Sequence, residues 1–331
     1  MNRASIHRNK KQSLNRRVHY CRGFGMLIAL GAFIGAAHAP LKAETLPIEG
    51  VYPAGSDQLA ALNSLAIGPF TGEDGPTLAI QLEQALAEVR VRGASYFSMV
   101  PYRTKAGADG TVTGSASSSV ESRPEDVRSR ECAYEDNKGR CKEWRNVIIT
   151  CERQIVTLSY TLKVEGRRRE RVHGVASNAE DSQLICPNAG NAPTIEATVG
   201  QLVLKVASEL RLQFAPIEVR DEIRVKEGTD GLQNDAKKKF KEGIRLTKRN
   251  VTSACTVWQE VDQLVPDHGP TLFNLGLCAE SLRDYDAAET LYRRVFELNR
   301  SERYANEAID RLNRRRHAER QIASHNAKSR R

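Results

Sequence analysis

After residue 43 the 331-residue chain keeps six cysteines, Cys132, Cys141, Cys151, Cys186, Cys255 and Cys278, and they are its most chemically capable side chains. An even number of thiols suits disulfide bonding in an oxidising compartment. The alternative, a zinc site, needs close pairs of ligands, and steps of 9, 10 and 35 residues between the first four provide none. The histidines in the same stretch are His173, His268, His317 and His325, and none sits in an HExxH pair or beside a calcium-type loop. No GxSxG elbow occurs, and the turn from Gly107 to Gly114 lacks the Lys-Ser/Thr that grips phosphate. These patterns point to a non-enzymatic chain with no cofactor, no catalytic residue and no metal site.

The elements that position these residues follow from periodicity. Asn63 to Phe70 reads as a short strand, Gly75-Pro76 opens a helix with Leu78, Leu82, Ala85/Leu86 and Val89 on one face, and Tyr96 to Pro101 reads as the next strand. Gly110 to Val120 alternates weakly as a third strand, and Ser122 to Lys142 is polar and turn-rich. From Arg145 to Val164 the alternation is strict, with Val156, Leu158, Tyr160, Leu162 and Val164 on one side, which predicts one buried and one wet face. A turn at Glu165 to Arg169 folds this strand back, placing Leu162 opposite Val172 and Tyr160 opposite Gly174. The same hairpin brings Cys151 near Cys186, and the turn Asp136-Asn137-Lys138-Gly139 brings Cys132 near Cys141. A helix from Thr194 to Phe214 carries Ile195, Val199, Leu202, Val206 and Leu210 as one stripe and ends before Pro216.

From Gly269 to Arg300 the period changes to two joined helices, apolar at Leu272, Leu275 and Cys278/Ala279, then at Ala288, Tyr292, Val295 and Leu298. Leu272, Leu275, Gly276, Ala288 and Tyr292 fall in the register of the 34-residue tetratricopeptide repeat, which this segment resembles; Ala279 and Arg300 depart from its usual Tyr and Pro. Counting back 34 residues gives a first unit from Asp235, with Ala254, Trp258 and Val261 in place. Its first helix fits worse, with Lys238, Lys241 and Glu242 at the large, Leu and Gly positions. Cys255 and Cys278 would then lie on packed helices, as a disulfide or as two buried thiols. The resemblance implies binding of another polypeptide along a groove lined by the first helix of each unit, which assigns Phe273, Leu277, Glu280 and Ser281 to a peptide partner. Packing of Phe273 and Leu277 against neighbouring helices is the other reading of the same pattern.

The earlier order, strand-helix-strand, strands ending in a long hairpin and a helix running into Pro216, resembles the small α/β domain of bacterial envelope proteins such as TolB and the curli secretion lipoprotein. The residues that carry this resemblance are Leu65 to Phe70, Leu82 to Leu86, Ala108 to Gly114, and Leu210 with Phe214-Ala215-Pro216. Its insert with two cysteines departs from that pattern.

The amino end has eight Lys or Arg and no acid in residues 1–43, flanking the apolar run Gly25 to Ala37 and small residues up to Ala43. This reads as a cleavable secretory signal, too short in its apolar part for the roughly 20 residues of a membrane span. Removing eight positive charges from the formal +9 leaves +1, so the basic pI belongs mostly to the leader. The expected organisation is a signal over 1–43, a linker over 44–58, an α/β domain over 59–218, a linker over 219–234, helical repeats with a capping helix over 235–312, and a disordered basic tail over 313–331. The fold class is therefore α+β, a small α/β sandwich followed by an all-α tetratricopeptide-type repeat domain. The expected role is a periplasmic adaptor holding a protein or peptide. The alternative is an oligomeric component of the cell envelope acting through the α/β domain. The tail offers contact with an anionic membrane surface, and its lack of aromatics argues against nucleic acid.

Overall fold

The structure is a computed structural model describing residues 44–187, 192–300 and 303–329; the expected signal segment lies outside the described residues. Strict alternation builds the long strands β7 (Cys141–Gly166) and β8 (Arg171–Ile185), which pair antiparallel. β7 also pairs along its whole length with β6 (Gly110–Glu135), so the two strands are each 26 residues long. β2 (Ser64–Thr71) lies parallel to β6 on one side and to the short β5 (Ser98–Met99) on the other, giving a mixed sheet in the order β5-β2-β6-β7-β8. Between them the two-residue strands β3 (Arg90–Val91) and β4 (Ala94–Ser95) form a tight turn around Gly93, whose φ of 78° suits glycine.

One sheet face is buried by Val112, Ala116, Val156, Leu158, Leu162 and Val164. Helices α2 (Gly75–Ala87) and α3 (Ile195–Phe214) cover it with Leu78, Leu82 and Leu86, and with Leu202, Val206, Leu210 and Phe214. Each such side chain contributes on the order of 1.5–3 kcal/mol by leaving water. The hairpin register differs from expectation: Leu162 faces Val175 and Tyr160 faces Ser177. The turn runs from Gly166 to Glu170, with Arg169 at φ 63°, and an irregularity between Val164 and Glu165 moves its centre along the chain.

Two segments expected as linkers are strands. β1 (Thr45–Tyr52) pairs antiparallel with β9 (Ile217–Arg224), and Leu46, Ile48 and Val225 enter a second core with the helices that follow. A short helix α1 (Asp57–Ala60) comes after β1. Helices α4 (Asn234–Leu246) and α5 (Val251–Leu264) form one hairpin, and α6 (Gly269–Ser281) and α7 (Tyr285–Leu298) a second. The starts of α5, α6 and α7 are capped by Asn250, His268 and Asp284, whose side chains accept from backbone N–H groups three residues on. The hairpins repeat one packing device. A Cβ at Gly243 would stand 2.4 Å from the Trp258 ring, and one at Gly276 2.4 Å from the Tyr292 ring. The first helices are thus offset by 33 residues and the second helices by 34, which is why counting 34 throughout misses Gly243.

The fold class needs correction on two counts. The sheet is a large five-stranded mixed one with strands far longer than a small sandwich uses. Nor do the helices form a separate all-α domain. The helix α8 (Arg303–Ser329) puts Ala305, Ala308 and Leu312 into the helical core and Ala318 and Ile322 into the sheet core, and the described residues make one compact unit. Two helical hairpins fall short of the roughly three units that bury a continuous core; here the β1–β9 ribbon and α8 close it. The basic tail expected to be disordered is the second half of α8, with Arg315 paired to Asp221 and Arg316 to Asp286 and Glu289.

Candidate protein interaction surface

Of the four groove residues, Phe273, Leu277 and Glu280 are buried and Ser281 is half-buried, its hydroxyl donating to the Cys278 carbonyl at 2.7 Å. The chain itself fills the space a peptide would take. Leu46 and Ile48 of β1, with Val225 after β9, share the core with Phe273 and Leu277, and Tyr304 of α8 packs edge-on to Phe273 at 4.7 Å.

Glu280 anchors this self-contact. Arg311 donates to it through Nε and Nη2, both at 2.8 Å, and the Tyr292 hydroxyl donates to Oε2 at 2.9 Å. Arg315, fully buried, donates from Nη2 to Asp221 at 2.9 Å. Its Nη1 lies 3.1 Å from Glu280 Oε1 without hydrogen-bond alignment, and its Nε has no partner. Room for that guanidinium comes from Gly50, where a Cβ would stand 2.6 Å from Arg315 Cζ. Burial, and then Glu280, push the Tyr292 hydroxyl far up, so it remains a donor. Two cations and two carboxylates balance here, which is how buried charge is tolerated.

The four histidines are spread through the fold. His173 is on β8 with a buried, unpartnered Nε2, His268 caps α6, His317 pairs with Asp57, and His325 stacks on Tyr96 with ring centroids 3.9 Å apart. Among the described residues no group of three His, Cys, Asp or Glu side chains is placed to hold a metal ion. His325 Nδ1 lies 3.3 Å from the Ala60 carbonyl, and Gln321 bridges the backbone of Ala54, so α8 docks on α1 and its flanks. Burial lowers the pKa of His325, outweighing the raising effects of Ala60 and of the Asp109 charge, and burial likewise lowers that of His268. Folding thus favours the neutral rings. Their contribution is complete above the unfolded value near 6.5 and is lost as pH falls below it. The melting temperature is expected to drop on acidification through that range, and His325→Gln with His268→Asn to flatten the dependence. An equal slope in wild type and variant would refute the assignment.

The six cysteines form three disulfides, Cys132–Cys141, Cys151–Cys186 and Cys255–Cys278. The first two bracket a stretch in which most residues are exposed. β8 leaves β7 at the pair Glu152–Ile185, while β6 and β7 continue together as a two-stranded arm. Such a ribbon is marginal alone in water. Cys132–Cys141 closes it at the tip and Cys151–Cys186, the next rung after Glu152–Ile185, ties its base to β8. Glu131 with Arg145, Glu125 with Arg153, and Asp126 with Thr150 link the strands across the ribbon. Three of the eleven large exposed apolar side chains among the described residues lie on this arm, Tyr134, Trp144 and Ile148, each 60–70% exposed. Trp144 and Ile148 lie on the continuation of the sheet face that the helices cover nearer the body. Exposed apolar side chains gathered on one projecting element mark an interaction surface. The arm's β6 half reads as turn-rich in the sequence because Arg, Glu, Asp and Ser dominate it; the signal that would have found it is that β7, being so long, needs a partner strand of equal length.

No family model matches the chain, and no curated protein does. Seven solved chains match; one is a point variant of the dodecameric PelC from Paraburkholderia phytofirmans, at 14% identity over 50% of this chain and 97% of that one, with a TM-score of 0.21. A superposition that loose carries neither fold nor function across. Three disulfides mark an exported chain of an oxidising compartment, and no helix of the described residues is long and apolar enough to cross a membrane.

Proposed function

We propose that this chain is a non-enzymatic scaffold of the bacterial cell envelope, working in the periplasm, whose contact surface is the β6–β7 arm. The observation that carries this reading is the arm itself: a disulfide-closed ribbon presenting Tyr134, Trp144 and Ile148 to solvent. A ribbon held at both ends loses less conformational entropy on binding than a free loop, which favours association. In this reading the helical hairpins, with their resemblance to tetratricopeptide repeats, act as a brace. Their groove is filled by β1, β9 and α8, so they support the body instead of capturing a peptide there.

Photo-crosslinking separates the surfaces. A crosslinking residue is placed at Ile148 on the arm, at Leu204 on α3, or at Leu282 after α6, all exposed. Discrete higher-mass adducts in envelope fractions are expected from Ile148 alone. Adducts from Leu282 alone would return the contact to the helices, and adducts from none of the three would overturn the scaffold reading.

A further inference from the structure

The outer edges of the arm are not equivalent. Ala116 accepts from the Asp74 N–H at 3.1 Å, and the Ser118 N–H donates to the Asp74 carboxylate at 2.7 Å, so even-numbered residues of β6 point their backbone groups away from β7. Pro124 belongs to that set, and its missing N–H interrupts the free edge of β6, a common guard against strand addition. On β7, whose even residues face even residues of β6, the same phase turns the backbone of Trp144, Asn146, Ile148 and Thr150 outward, beyond the end of β8. The 4.3 Å Cα separation of Cys151 and Cys186 agrees, being that of a pair without mutual backbone bonds. This edge carries no proline. β8 ends the sheet with another edge but bears none of the large exposed apolar side chains.

We propose that the free edge of β7 pairs antiparallel with the same edge of a second copy of this chain, about a two-fold axis at Trp144. This rests on the reading of the arm as the contact surface. The sequence Glu143-Trp144-Arg145 is self-complementary in charge under that symmetry. Trp144 meets its copy as a backbone-bonded pair on one face. On the other, Glu143 meets Arg145 of the second copy, and Arg145 its Glu143, at the closely spaced non-bonded positions where opposite charges stabilise a sheet. Arg145 already leans on Glu131 of its own arm, and its five donors suffice for both carboxylates. An isologous contact closes on itself and so limits assembly to a pair.

Sedimentation velocity on the full oxidised chain, with all three disulfides intact, tests the pairing. A concentration-dependent dimer is expected, and Trp144→Asp shifts it to monomer. Glu143→Arg and Arg145→Glu each oppose like charges and weaken self-association by roughly tenfold. An equimolar mixture of those two variants restores the dimer, because each then faces its complement; rescue is a readout that misfolding of either variant would not give. A wild-type chain that stays monomeric at every soluble concentration, a dimer indifferent to Trp144→Asp, or a mixture that fails to recover would overturn the pairing. Adducts from Ile148 to a different protein, with the chain itself monomeric, would sink the self-pairing and leave the scaffold reading standing.

Discussion

Replacing Glu280 with alanine is expected to destabilise the folded chain by about 3–5 kcal/mol, as removal of one partner from a buried ion cluster does. The carboxylate is fully buried; without it Arg311 loses both of its hydrogen bonds to Glu280, and Arg315 keeps only Asp221, which already accepts from the Tyr52 hydroxyl at 2.7 Å. The loss should fall mainly on the contact between α6 and α8, because the cluster joins those helices to β9. Denaturant unfolding of Glu280→Ala, Arg311→Met and the double variant checks this. The double variant should cost clearly less than the sum of the singles, since it removes the unpaired charge along with its partner. Additive costs would mean that the ion cluster is not the coupling element. The arrangement also bears on partner choice: the residue that looked like a carboxylate rim for a peptide is neutralised from within the chain.

A loss of comparable size, about 3–5 kcal/mol, is expected for Trp258→Ala. Trp258 is fully buried in the α4–α5 hairpin, its ring against Gly243 and its Nε1 donating to the Phe240 carbonyl at 3.4 Å. Neither glycine nor helix can collapse into the space, because Cys255–Cys278 fixes α5 to α6 on the other side. Trp258→Phe keeps most of the ring and gives up the long hydrogen bond, so its cost should be well under half as large. Thermal unfolding followed by circular dichroism distinguishes the two. A Phe variant as unstable as the Ala variant would show that the bond, and not the ring volume, holds the hairpin.

Local patterns are legible where one residue type answers one local need. Alternation at Val156 to Val164 marks the buried sheet face, period 3.6 marks α2, α3, α6 and α7, and the register of Leu272, Leu275, Gly276, Ala288 and Tyr292 marks the second hairpin, in which the structure then sets the Tyr292 ring on Gly276. The spacing Phe240-x-x-Gly243-Ile244 repeats Phe273-x-x-Gly276-Leu277 and is hidden only by a single-residue change in the loop between helices. Other elements leave no local trace. β1 and β9 are short, polar on one face and separated by more than 160 residues, so their strand character rests on each other and on the helices beneath. The second half of α8 reads as a charged tail because its apolar content is spread thinly over Ala318 and Ile322, and its arginines meet their carboxylates only across the fold.

By itself the sequence determined the periods of the strands and helices, the register of the second helical hairpin with its small residues at Gly276 and Ala288, and the cysteine spacings that suit disulfides. Those depend on neighbours within a few turns or one hairpin, where chain geometry leaves few choices. Only the tertiary structure decided that the groove at Phe273, Leu277 and Glu280 is occupied and that a polar insert stands out as an arm with Trp144 and Ile148 bare. Both outcomes turn on which distant segment buries which surface. That competition is settled by packing area and charge pairing across the whole molecule, quantities that no local window of residues contains.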